Sequence, residues 1–217
     1  MGAEAEARAE VLGRIRAANR GGGLASAAAI GWAGIERGYR DGPKLEREAM
    51  LELLEDRLHD YEAHTMRSTR EELRRAIEGR LRERGIVRLL VPQGVPEWVM
   101  PGGVSVTRDE GLSAAEIDDF DGVLTGATLA IAETGTIVLQ HGAEQGRRAT
   151  TLVPDFHLCV VAIGDVVESV PEAMERLGAT SRLATTFISG PSATADIEMT
   201  RIKGVHGPRF LDVILVG

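Results

Sequence analysis

The feature that most constrains this chain is a change of pattern near Gly85. Before it, apolar residues are spaced at helical intervals among charges; after it, they come in short unbroken runs. Met50, Leu51, Leu54 and Leu58 fall on one stripe of a helix expected over Leu45 to Leu58. Leu73, Ile77 and Leu81 form the stripe of another that ends at Gly85, with Ser68–Glu71 or Thr69–Glu72 at capping-box spacing. The Ala-, Glu- and Arg-rich segment Ala3 to Ala18 also reads as a helix, stopped by Gly21-Gly22-Gly23. Beyond Gly85, strands are expected at Ile86–Val91, Leu129–Ala132, Ile137–Leu139, Leu158–Ile163, Thr185–Ile188 and Leu211–Val216, with a helix at Pro171–Leu177. Short apolar strands separated by helices make βαβ units. The expected fold is therefore α/β: a mainly parallel sheet flanked by helices, with a helical N-terminal region. Residues 1–43 form a helix and a glycine-rich arm, and residues 44–217 the α/β domain.

Charge and composition exclude several functions. A net charge of −8 repels a phosphate backbone, so no nucleic acid is expected as a partner. One cysteine, Cys159, can form neither an internal disulfide nor a cysteine-ligated cluster, and its place in Phe156-His157-Leu158-Cys159-Val160-Val161 reads as a buried, inert thiol. There is no apolar run of about 18 residues to span a membrane. Met1 to Arg20 has no apolar signal core, which gives a cytoplasmic protein as the expectation. The five histidines lack paired metal-ligand spacing, and neither a P-loop nor a G-x-G-x-x-G segment occurs. No metal site and no cofactor bound by this chain are expected.

In open parallel sheets, ligands collect beyond the carboxyl ends of strands, so the polar residues bordering apolar strands are the candidates. In Ala132-Glu133-Thr134-Gly135-Thr136, a carboxylate with two hydroxyls at a turn suits an anionic substrate, with Glu133 as nucleophile or base. A hairpin turn with an edge glutamate accounts for it equally well. In Ser189-Gly190-Pro191-Ser192 through Asp196, a strand ends in small and hydroxyl residues that lead toward a helical turn, whose N–H groups would attract an anion, while Asp196 suits a sugar or hydroxyl group or caps backbone donors; an ordinary strand-to-helix turn accounts for the same residues. In Gly204-Val205-His206-Gly207-Pro208-Arg209, His206 is a candidate acid or base and Arg209 a carboxylate grip; a structural turn accounts for the same glycines and proline. Arg148, beside Arg147 and ahead of His157, is a second anion-binding candidate, or the partner of a surface glutamate. Glu133, Ser189 and His206 are expected to meet at one end of the sheet.

These same segments, in order from Asp121 to Val216, resemble the signature of the lactate-utilization (LUD) family. The resemblance implies a fold like that of sugar-phosphate isomerases and coenzyme A transferases. It also implies a part in oxidising L-lactate to pyruvate beside partner subunits that carry iron–sulfur clusters. Two expectations follow. One is a non-redox subunit of such a complex, binding a small carboxylate or phosphate-bearing ligand, or partner surfaces, with the N-terminal helix and the Gly21–Pro43 stretch as docking elements. The other is a stand-alone transferase- or isomerase-like enzyme that uses Glu133.

Overall fold

The computed structural model describes residues 3–19, 31, 34–35, 45–191, 193–195, 201–204 and 206–217. They fall in two compact units, Met1–Gly42 and Pro43–Gly217. In the first, helix α1 spans Ala3–Asn19, with Arg16 in its last turn where a cation complements the helix dipole. The glycine-rich stretch from Gly21 to Pro43 lies almost wholly outside the described residues, so its docking role stays a proposal.

The second unit carries the remaining described helices, α2 (Arg47–Asp60), α3 (Leu73–Glu83), α4 (Ala114–Asp118) and α5 (Val170–Gly178). Its strands are β1 (His64–Ser68), β2 (Arg88–Val91), β3 (Ser105–Arg108), β4 (Gly122–Gly126), β5 (Leu129–Ile131) and β6 (Thr136–Leu139). They continue with β7 (Phe156–Ala162), β8 (Val166–Val167), β9 (Thr186–Ile188), β10 (Ala193–Ala195), β11 (Arg201–Lys203) and β12 (Phe210–Val216).

Six strands form one sheet in the order β1-β12-β7-β4-β2-β3, with every neighbouring pair parallel. Four others form a second sheet, β8-β5-β6-β9, in which β5/β6 and β6/β9 are antiparallel. The α3 stripe Leu73, Ile77 and Leu81 packs on one face of the large sheet, against Leu89, Leu124, Leu158 and Ile214. On the opposite face, Leu51, Leu54 and Leu58 of α2 share a core with Cys159, Val161, Val213 and Leu215, and with Ala130 and Ile137 of the small sheet. Ala173 and Leu177 of α5 cover the far side of the small sheet. The mainly parallel, helix-flanked α/β fold is therefore present.

Several details differ from the sequence expectation. Helix α3 starts at Leu73, after a turn in which Thr69 Oγ1 accepts the Glu72 N–H at 3.3 Å. Strands β1, β3 and β4 were not expected. β1 and β3 are polar, half-buried edge strands with no apolar run to mark them. β4 is buried but opens with Gly122, because a Cβ there would lie 2.8 Å from Phe156 Cδ1 on β7. Close strand approach thus requires a residue of poor strand propensity. After β9 the chain enters the antiparallel β10/β11 pair rather than a helical turn, which removes the helix N-terminus proposed there as an anion donor.

Candidate functional site

β7 and β12 lie side by side, so their second residues, His157 and Leu211, are register partners at the amino end of the large sheet. Three connections meet there. The 3₁₀ turn Arg148–Thr151 precedes β7, Ser189 and Gly190 follow β9, and His206 precedes β12. Arg148, His157, Ser189, Gly190 and His206 line one cleft of about 230 Å³, together with Thr151 and Thr186. This is below the usual range for drug-sized ligands, roughly 300–1,000 Å³, and suits a small acid.

The turns were expected beyond the carboxyl ends of parallel strands; the cleft is instead at amino ends. His206 precedes the last strand, as expected, and Ser189 follows a strand of the second sheet, whose pairing with β6 is antiparallel.

Thr136 Oγ1 lies 2.8 Å from Ser189 Oγ and 2.7 Å from Thr134 Oγ1, a chain of three hydroxyls across β6 and β9. Gly190 has φ +82°, and a Cβ there would lie 2.3 Å from Tyr61 Cβ, so the turn presses directly on the end of α2. Gly135 closes the β5/β6 hairpin. Glu133 in that hairpin donates its N–H to Glu168 O at 3.0 Å and lines a separate depression with Arg57, Asp60, Tyr61 and Thr134. The structure thus joins Ser189, Gly190, His206 and Arg148 in one cleft and links Thr134 and Thr136 to it through hydroxyls, while Glu133 faces elsewhere. Arg209 is also outside the cleft. Its Nε bonds Asp155 Oδ1 at 2.9 Å, and its Nη2 bonds the second carboxylate oxygen. Ser192 and Asp196 lie outside the described residues.

The adjacent arginines divide their work. Arg147 grips Asp109 through two bonds of 2.7 and 2.9 Å, and Thr150 Oγ1 donates to the same carboxylate at 2.9 Å. The Arg147 guanidinium beside Asp109 holds its carboxyl well below the usual carboxylate range. Among the described residues Arg148 has no carboxylate partner, its side chain reaching only Thr151 Oγ1 at 3.4 Å. Its charge is available to the cleft.

His157, 1% exposed, lies 2.8 Å from Thr125 Oγ1 through Nε2. Burial, and then the charge of Arg148, pushes its pKa down to about 4, so the ring is neutral at physiological pH. Cys159, two residues on, is fully buried, and burial pushes its thiol up to about 12.

One guanidinium, hydroxyls and an imidazole around a small space can hold a small anion. Thr186 escaped the sequence reading. Its Oγ1 lies 3.1 Å from His141 Nε2, and a hydroxyl at the start of a strand that borders a Ser-Gly turn is the signal that marks it. Among the described residues no group of three or more His, Cys, Asp or Glu is placed to hold a metal ion. No helix there is long and apolar enough to cross a membrane.

Comparison with known proteins gives the family. The LUD domain matches residues 4–216. The chain is 48% identical over 176 residues to lactate utilization protein C of Deinococcus radiodurans, covering 80% of this chain and 82% of that one. It is 30% identical over 147 residues to lactate utilization protein C of Bacillus subtilis, covering 63% and 59%. A crystal structure of a DUF162 family protein from Deinococcus radiodurans superposes with a TM-score of 0.70 at 42% identity, covering 80% of this chain and 99% of that one. The chain belongs to the LUD-domain family.

Proposed function

We propose that this chain serves lactate utilization as the non-redox subunit of an L-lactate-oxidising system. Its amino-end cleft holds the substrate carboxylate, and iron–sulfur clusters on partner subunits take the electrons. The observation that carries this reading is the meeting of Arg148, Ser189, Gly190 and His206, drawn from three separate connections, in a cleft of small-acid size. The relatives named lactate utilization protein C supply the pathway.

In this reading Arg148 binds the carboxylate in a charge-assisted pair. Ser189, held by Thr136, orients the substrate through its hydroxyl. His206 accepts the proton of the C2 hydroxyl as general base. Conversion of lactate to pyruvate releases two electrons and two protons. Side chains do not accept the electrons, so the acceptor belongs to the partners. Neutral His157 forms the floor and brings no second positive charge.

The test is reconstitution. Purified chain with L-lactate and an artificial electron acceptor is expected to give no turnover, and addition of the iron–sulfur partners is expected to start it. In the mixture, Arg148→Ala is expected to raise KM for lactate about 10- to 100-fold, the value of one charged hydrogen-bonded contact. Robust lactate oxidation by the chain alone would overturn the reading.

A further inference from the structure

The opposite end of the large sheet carries a second crevice that the lactate reading does not use. In the order β1-β12-β7-β4-β2-β3, strand β2 connects outward to β3, whereas β4 leads the other way, to β7 and β12. The gap between the carboxyl ends of β2 and β4 is therefore the topological switch point, the place where open parallel sheets bind ligands. A crevice of about 340 Å³ opens beside that point, over the carboxyl ends of β4, β7 and β12 and against the segment that follows β2, within the range of cofactor- and metabolite-sized sites.

Its construction is specific. The turn after β6 bridges the two strand ends: Gly94 N–H donates to Ala143 O at 2.9 Å and Gly126 N–H to Glu144 O at 3.0 Å. Trp98 forms one wall, held by Arg74, which donates to Trp98 O at 3.1 Å and to Glu97 O at 2.9 Å. Trp98 remains 40% exposed, so it presents an aromatic surface rather than filling the core. Leu124, Val160 and Val216 line the floor. The polar groups are separated by kind. Arg70 stands over the Trp98 ring at 4.6 Å and has no carboxylate partner among the described residues. Glu144 and Asp165 are the carboxylates of the lining.

From this we infer that the carboxyl-end crevice binds a flat aromatic molecule with an anionic group, its ring against Trp98 and its anion on Arg70. The apolar floor and exposed indole supply the stacking surface, and a cation already poised over that indole pairs with an acid at the edge of the ring. Glu144 and Asp165 repel a second negative group and accept hydrogen bonds from donors elsewhere on the molecule. This site is independent of the lactate reading: it shares no lining residue with the amino-end cleft.

The experiment titrates full-length protein with 1-anilinonaphthalene-8-sulfonate, an anion built on a flat naphthalene ring, and with its neutral counterpart N-phenyl-1-naphthylamine, following dye fluorescence. Near-ultraviolet circular dichroism on each variant confirms native packing. One saturable site is expected. Trp98→Ala is expected to weaken both dyes about tenfold, Arg70→Ala to weaken only the sulfonate by a similar factor, and Arg148→Ala to change neither. Non-saturable binding, binding indifferent to Trp98→Ala, equal loss of both dyes in Arg70→Ala, or loss in Arg148→Ala would overturn the inference.

Discussion

The two ends of the six-stranded sheet differ in kind. At the amino end the chain concentrates charge: Arg80 and Arg84 on Asp212, and Arg148 in the cleft. The carboxyl end is mainly apolar, with a single exposed indole and a cation stacked on it. A buried polar group must be satisfied by partners fixed in place, so Asp212 and its two arginines are held in one arrangement. An apolar crevice imposes fewer geometric conditions and selects by shape and surface. In the proposed readings the first takes one small acid held in one orientation, the second a flat molecule.

The largest effect expected from breaking this contrast is at Asp212. It is 1% exposed on β12 and accepts from Arg80 at 2.6 Å and Arg84 at 2.7 Å, fastening the end of α3 to the amino edge. Asp212→Asn leaves two arginines with no buried carboxylate. It is expected to cost about 3–5 kcal/mol in urea denaturation. A loss under about 1 kcal/mol would mean that the amino end is not organised by its charges.

Next in size is the pH dependence of His157. Its folded pKa, about 4, lies below the unfolded value of 6.5, so the unfolded chain binds the extra proton between those limits. The stabilisation is complete above about pH 6.5 and declines as pH falls toward 4, by up to about 3 kcal/mol. The difference in stability between wild type and His157→Gln is expected to narrow over that window. A constant difference from pH 7 to pH 4 would show that His157 is not held neutral by burial.

The smallest expected effect sharpens the same comparison. With its pKa pushed up to about 12, Cys159 is almost entirely protonated at pH 7.5. A thiol reagent is expected to label the native protein slowly and the urea-unfolded protein rapidly. Fast native labelling would mean that the core between the two ends opens readily.

The fold was legible where burial is continuous or periodic. The stripes of α2 and α3 and the apolar runs of β7 and β12 follow directly from residue spacing. β1, as His64-Thr65-Met66-Arg67-Ser68, has no such signal, because an edge strand needs little apolar surface. The candidate site was legible only residue by residue. Small and hydroxyl residues at strand borders brought out Arg148, Ser189 and His206, but local sequence does not encode strand direction. Which end of the sheet the turns would share was accordingly not legible. Trp98 and Arg70 escaped because neither lies at a glycine-rich turn, and they meet only through the packing of the chain after β1 and β2. The Arg147–Asp109 pair was hidden for a similar reason, its partners being 38 residues apart.

The most direct test of the central claim, that the amino-end cleft receives the small acid, is a crystal soaked in L-lactate. The account predicts density for one lactate with its carboxylate on Arg148 and its hydroxyl near His206, absent from Arg148→Ala crystals soaked in parallel. Lactate bound instead at the Trp98 crevice, or an amino-end cleft that stays empty at saturating lactate, would contradict it.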